Sequence, residues 1–161
     1  MKERVVEFLA TGFYSGKMPK APGTAGTVVA VPIVVGLSSV LNPINYMAVT
    51  FVAVIAAIFI SQLHENAKGV HDSQEIVIDE IVGYMVAMVW LPMTWQSLLI
   101  GFVLFRLFDA LKPFPINVID EKIGGGVGVV VDDVAAGIAT NFLMQILFVN
   151  TTVLGVQWVT A

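Results

Sequence analysis

Two pairs of neighbouring acids stand at the edges of uncharged segments: Asp79 and Glu80 in "HDSQEIVIDEIVGY", and Asp132 and Asp133 in "GGGVGVVVDDVAAG". One carboxylate at the start of a helix is explained by the helix dipole or by capping of free N–H groups. Two together at the boundary of an apolar run are costly, and ions in that position usually serve a function. Clustered oxygen donors of this kind suit Mg2+, which keeps several waters and takes one or two carboxylates plus a substrate phosphate. On spacing alone, capping and metal binding both stand.

The other chemically able residues carry the same double reading. "FRLFDALKPFP" sets Arg106, Asp109 and Lys112 three apart, on one face of a helix that Pro113 and Pro115 then stop. They make either an Arg106–Asp109 ion pair with Lys112 reaching to the headgroups, or a site in which the Arg106 fork holds phosphate oxygens. "KMPKAPGTAGT" joins Lys17 and Lys20 to Gly23, Thr24, Gly26 and Thr27 directly before a helix. That combination reads as an anion seat or as a turn of small residues for close packing, and it lacks the ending of a Walker loop. His71 beside Asp72 offers a general acid or base, a metal ligand, or a solvated loop pair. His64 reads as an ordinary histidine within an apolar run.

The elements that must position these groups are membrane-like. The chain has 161 residues, 57% of them apolar and only 12% charged, and a mean hydropathy of +0.87. This length fits one domain, residues 1–161, and the composition implies an integral membrane protein. No Cys is present, which excludes a disulfide framework, a thiolate nucleophile and Cys-ligated metal. The net charge of −4, with dispersed bases, gives no nucleic-acid footprint. The N-terminal stretch has acids among its bases and does not read as a cleaved signal peptide.

Charges fall into three groups, at residues 2–20, 65–80 and 106–133, separated by the uncharged tracts 21–64, 81–105 and 134–161. Crossing a hydrocarbon core of about 30 Å takes about 20 apolar residues. The first tract therefore holds two spans broken at "NPIN", and the second has its own break at "LPMTWQS". If both tracts go out and return, all charges lie on one face, taken as cytoplasmic because every Lys and Arg is there. The expected fold is all-α: a compact bundle of about five hydrophobic helices (27–41, 46–63, 76–91, 95–111 and 134–149) plus an interfacial N-terminal helix over 3–13. The third and fourth form a re-entrant pair; the alternative, a single span over 81–105, would strand Arg106 on the other face.

The segments "PKAPGTAGT", "HDSQEIVIDEIVG", "FRLFDALKPFPI" and "GGGVGVVVDDVAAG" resemble, in order and spacing, the phosphatidylglycerophosphatase A family over residues 12–137. Tyr14 departs from the pattern at a position where Gly is expected. The resemblance implies an inner-membrane, Mg2+-dependent lipid phosphatase. Such an enzyme removes the terminal phosphate of phosphatidylglycerophosphate to leave phosphatidylglycerol, with phospholipid and membrane as partners. Carried over by motif, Asp79, Glu80, Asp109, Asp132 and Asp133 are the implied metal ligands. Asp79, Glu80, His71, Asp72 and Asp133 are the implied catalytic groups. Lys17, Lys20, Gly23, Thr24, Gly26, Thr27, Arg106 and Lys112 are implied to bind phosphate. Cys-nucleophile and D-x-D phosphatase chemistries find no residues here, and two His and two Arg are too few for a His-based lipid phosphatase; metal-activated water is left. A small transporter or ion-binding membrane protein using the same acids as a cation site is the competing expectation.

Overall fold

A computed structural model describes residues 2–69 and 73–156. Among these, the chain is all-helical, with seven α-helices and one short 3-10 turn at Ser15–Lys17. They are α1 (Lys2–Ala10), α2 (Pro22–Val40), α3 (Pro43–Lys68), α4 (Ile78–Ala87), α5 (Trp95–Leu111), α6 (Ile116–Lys122) and α7 (Gly125–Asn150). His71 and Asp72 lie outside the described residues.

Local chemistry sets several of the breaks. Asn42 caps α3 by accepting from the Asn45 N–H at 2.9 Å, with Pro43 at the first helical position. Gly69 ends α3 in the left-handed region at φ 67° and donates its N–H to Glu65 O at 2.8 Å. Thr94 caps α5, accepting from the Ser97 N–H at 3.1 Å. Tyr14 lies at φ 68°, a conformation that glycine adopts without steric cost. That is the physical reason for expecting Gly there.

Three helices, α2, α3 and α7, are long and apolar enough to cross a membrane. In the most apolar stretch of α3 only 22% of the residues are buried within the protein. Its outward face, with Phe51, Val52 and Phe59 each about two-thirds exposed, is an apolar surface suited to lipid rather than water.

The second tract folds back on itself, as the charge grouping implies. At 1.5 Å per residue α4 is about half a bilayer core long. The chain then turns through residues 88–94 before α5 returns. The free carbonyls at the tip are met by α7: Asn141 Nδ2 donates to Ala87 O at 3.0 Å and Val89 O at 2.8 Å. Gln145 Nε2 donates to Val89 O at 3.2 Å and Trp90 O at 3.3 Å. Tyr46 and Tyr84 hydroxyls donate to Met85 O and Leu98 O at 3.0 and 2.8 Å. Irregular backbone at membrane depth is tolerated when protein satisfies it in this way.

Several boundaries differ from expectation. α2 begins at Pro22 rather than near residue 27, so Gly23, Thr24, Gly26 and Thr27 stand in its first turns and not in a turn before it, and α3 runs on to Lys68. The last helix begins at Gly125 rather than near residue 134, so the glycine-rich run is helix and not loop. Glycine is a poor helix former, but here it lets α7 lie against α3: a Cβ on Gly126 would strike Ile58 O and the Gln62 backbone. Gln62 Oε1 also accepts from the Gly126 N–H at 3.0 Å. Tertiary contact thus overrides propensity. The short α6 is an additional element, formed between the proline pair and the glycine run.

Candidate active site

Asp79 and Glu80 stand in the first turn of α4, whereas Asp132 and Asp133 stand two turns inside α7. The second pair therefore caps nothing, and one of the two readings open for it falls. What brings the pairs together is the crossing of α4 and α7 at glycines. A Cβ on Gly83 would lie 2.8 Å from Asp133 O, and a Cβ on Gly137 would strike Gly83 O. Both helices start at the charged end, and each carries an acid one turn before its contact glycine: Asp79 before Gly83, Asp133 before Gly137. Carboxylate oxygens of Asp79, Glu80 and Asp133 consequently lie within 4.8 Å of one another.

These acids open onto a cavity of about 390 Å3 at the charged end of the bundle. Among the described residues its wall carries six carboxylates (Asp79, Glu80, Asp109, Asp120, Asp132, Asp133) against two cations, Arg106 and Lys112. Arg106 Nη1 pairs with Asp109 Oδ2 at 2.6 Å and stands 3.9 Å from Glu80 Oε1. Lys112 leaves the α5 face through a left-handed C-cap. Its Nζ donates to Asp120 Oδ1 at 2.5 Å and Asp132 Oδ2 at 2.7 Å. Burial works against the Lys112 charge, but the hydrogen bonds to Asp120 and Asp132 prevail and hold its pKa above the usual lysine range. It remains a cation throughout neutral pH.

The remaining sequence candidates divide. Gly23 lines the cavity, and a Cβ there would meet the ends of the Glu80 and Arg106 side chains, so the start of α2 lies directly against the charged groups. Gly26 faces Val77 instead, and the Thr27 hydroxyl donates to Gly23 O at 3.0 Å; both serve packing. Thr24, half-buried, sits beside Gly23 but off the cavity wall. Lys17 is turned away, donating to Glu7 Oε1 at 2.6 Å, and exposed Lys20 does not line the cavity. Asp120 is a residue the motifs did not single out. Its contact with Lys112 depends on the chain reversal at Pro113–Pro115, which no helical spacing reveals.

Three acidic oxygens at the site are buried without a hydrogen-bond partner: Glu80 Oε2, Asp132 Oδ1 and Asp133 Oδ2. Orphaned buried carboxylate oxygens are strongly disfavoured unless a cation meets them. The all-oxygen donor set of Asp79, Glu80 and Asp133 fits a hard divalent ion such as Mg2+.

An apolar helical bundle of membrane type, with a cavity rich in acids and two cations at one end, has the makings of an enzyme for phosphorylated lipid headgroups. Residues 8–148 match the family model described as phosphatidylglycerophosphatase A. A Haemophilus influenzae phosphatidylglycerophosphatase A is 40% identical over 83% of this chain and 82% of its own length. An Escherichia coli phosphatidylglycerophosphatase A is 38% identical, over 86% of this chain and 81% of its own length. A Bacteroides thetaiotaomicron protein, provisionally named a phosphatidylinositol-3-phosphatase, is 36% identical over 86% of this chain and 90% of its own length. No solved structure matches the chain. The chain belongs to the phosphatidylglycerophosphatase A family, and that membership supports a phosphatase acting on phosphatidylglycerophosphate.

Proposed function

We propose that this protein hydrolyses the terminal phosphomonoester of phosphatidylglycerophosphate to phosphatidylglycerol and inorganic phosphate, using Mg2+ and water at the cytoplasmic face of the inner membrane. The observation that carries the reading is the convergence of Asp79, Glu80 and Asp133 within 4.8 Å in a cavity that also holds Arg106 and Lys112.

Asp79, Glu80 and Asp133 would hold the ion, which when bound supplies Lewis acidity toward the phosphoryl oxygens and toward water. With four more negative than positive groups on its wall, the cavity repels a phosphate dianion until cations are added, so the charge balance itself favours a divalent requirement. Arg106 presents a planar fork suited to phosphate oxygens, while Asp109 fixes its orientation. In the reaction a water oxygen bonds to phosphorus, the bond from phosphorus to the glycerol oxygen breaks, and a proton passes to the departing oxygen. His71 or an unligated carboxylate is assigned that proton. A substrate anchored in the bilayer reaches the site by lateral diffusion, because the cavity opens at the end of the spans. The cytoplasmic assignment rests on the gathering of Lys and Arg at that end.

The test is phosphate release from phosphatidylglycerophosphate by the purified protein in detergent. Activity is expected with Mg2+, to vanish with chelator, and to fall at least a hundredfold in Asp79→Asn and Asp133→Asn, in line with the loss of an electrostatic group at a reaction centre. Full activity in chelator would remove the metal. Release from phosphatidylinositol-3-phosphate in preference would replace the substrate.

A further inference from the structure

The cavity leaves Tyr14 and Lys17 without a part: Lys17 is turned away from it, and Tyr14 stands where Gly is expected. Both belong to the segment that joins α1 to α2. There Gly12, Phe13 and Tyr14 are left-handed in succession, at φ 49°, 60° and 68°. Bulky residues rarely adopt that conformation, and it persists only where the surroundings over-determine it. The inner edge of the segment does so. Thr11 is fully buried, its hydroxyl accepts from the Tyr14 N–H at 3.2 Å, and its carbonyl accepts from the Gly16 N–H at 3.0 Å. Gly12 lies against the Val77 and Ile81 side chains, and a Cβ on Gly16 would strike Glu75 O.

The outer edge has the opposite character. Phe13, Tyr14 and Met18 are 50%, 47% and 54% exposed, and Val5 and Phe8 on α1 are exposed beside them. The Phe8 ring meets those of Phe13 and Tyr14 edge-on at 5.1 and 5.3 Å. Backbone strain is thus spent on displaying apolar side chains that the core does not use, and a patch of this kind marks a contact surface.

Two elements fix its depth. Gly12 is pressed against Ile81, the first residue of the second uncharged tract. Glu7 stands 3.8 Å from Lys68, five residues past Leu63, the last large apolar residue exposed on α3. The patch therefore lies where the lipid-facing surfaces give out, with its outer edge directed away from α4. The Lys17 ammonium, paired with Glu7, is 5.1 Å from the centre of the Tyr14 ring, and Lys20 is exposed nearby. Aromatic rings with lysines beside them suit the headgroup level, rings toward the acyl chains and ammonium groups among the phosphates.

We propose that Val5, Phe8, Phe13, Tyr14 and Met18 form an anchor inserted into the headgroup–acyl boundary of the leaflet at the charged end, with Lys17 and Lys20 toward its phosphates. The occupant of the patch is the lipid surface. Because the segment is clamped to residues 75–81, the anchor ties the turn carrying Asp79 and Glu80 to the membrane surface.

The absence of Cys permits a single nitroxide at Met18→Cys, read by electron paramagnetic resonance in vesicles of phosphatidylethanolamine and phosphatidylglycerol. Oxygen and a nickel chelate serve as collision partners. Oxygen is expected to dominate and to place the label about 5–10 Å into the headgroup–acyl boundary. Labels at Glu121→Cys and Val52→Cys supply the water and acyl-chain references. Adding Phe13→Ser and Tyr14→Ser is expected to shift the Met18 label toward nickel, while the Val52 label in the same background stays unchanged and reports an intact bundle. Nickel collisions at Met18 equal to those at Glu121 overturn the proposal, as does a Met18 label that ignores the loss of both rings. Spin–spin broadening at Met18 that vanishes on dilution with unlabelled protein also overturns it, since the patch would then be a contact between copies of the chain.

Discussion

Tyr14 shows how one side chain sits against its backbone. Its φ of 68° costs an L-residue about 1–2 kcal/mol, and it is retained with ring contacts to Phe8 at 5.3 Å and to the Lys17 ammonium at 5.1 Å. Comparing Tyr14→Gly with Tyr14→Ala isolates the backbone contribution, since both lose the ring. The Gly variant is expected to be the more stable by about 1 kcal/mol, read from denaturation midpoints in detergent; equal midpoints would place the strain elsewhere. At this scale the acids were legible in the sequence because charge is scarce in so apolar a chain, and boundary ions stand out. Their partners were not. Lys112 and Arg106 are three turns of text away from telling which carboxylate each will meet, and Asp120 is hidden among ordinary surface charges until the chain reverses at Pro113–Pro115.

The α4–α7 crossing is the element that builds the site. Gly83 and Gly137 let the two helices touch backbone to backbone, and the acids one turn above inherit their spacing from that contact. Gly137→Ala is expected to force the helices apart and lower phosphatase activity at least tenfold without changing any acid, since small misplacements at a reaction centre are costly. Gly36→Ala is the control: nothing lies within 4 Å of a Cβ there, so activity should hold and helix propensity should leave stability unchanged or raised by up to about 1 kcal/mol. Parity of the two variants in an activity assay would dissociate the crossing from the site. The hairpin over the second tract was readable from charge grouping, because one-sidedness demands an even number of passes. The start of α7 was not, because glycine-rich text reads as loop until the neighbouring α3 is in place to hold it.

Across the whole molecule, ion pairs tie the three charge groups together at one end. Lys68 stands 3.8 Å from Glu7 and 3.3 Å from Glu75, Arg106 meets Glu80, and Lys112 meets Asp132. The end carrying the α2–α3 turn has Val40, 77% exposed, and no formal charge nearby in sequence. Because the chain contains no Cys, single introduced thiols report position without background. A membrane-impermeant thiol reagent applied to intact cells is expected to label Val40→Cys, and to label Lys20→Cys and Glu121→Cys only after permeabilisation. Labelling of all three in intact cells would refute the one-sided arrangement.

The amides of Asn141 and Gln145 are made roughly fifty residues after the carbonyls of Ala87, Val89 and Trp90 that they satisfy. A ribosome feeding this chain into a bilayer therefore delivers the hairpin before the side-chain amides that meet the Ala87, Val89 and Trp90 carbonyls at its tip. The tip carbonyls must borrow water until α7 emerges, so translation order obliges the hairpin to settle only once the last helix is in place.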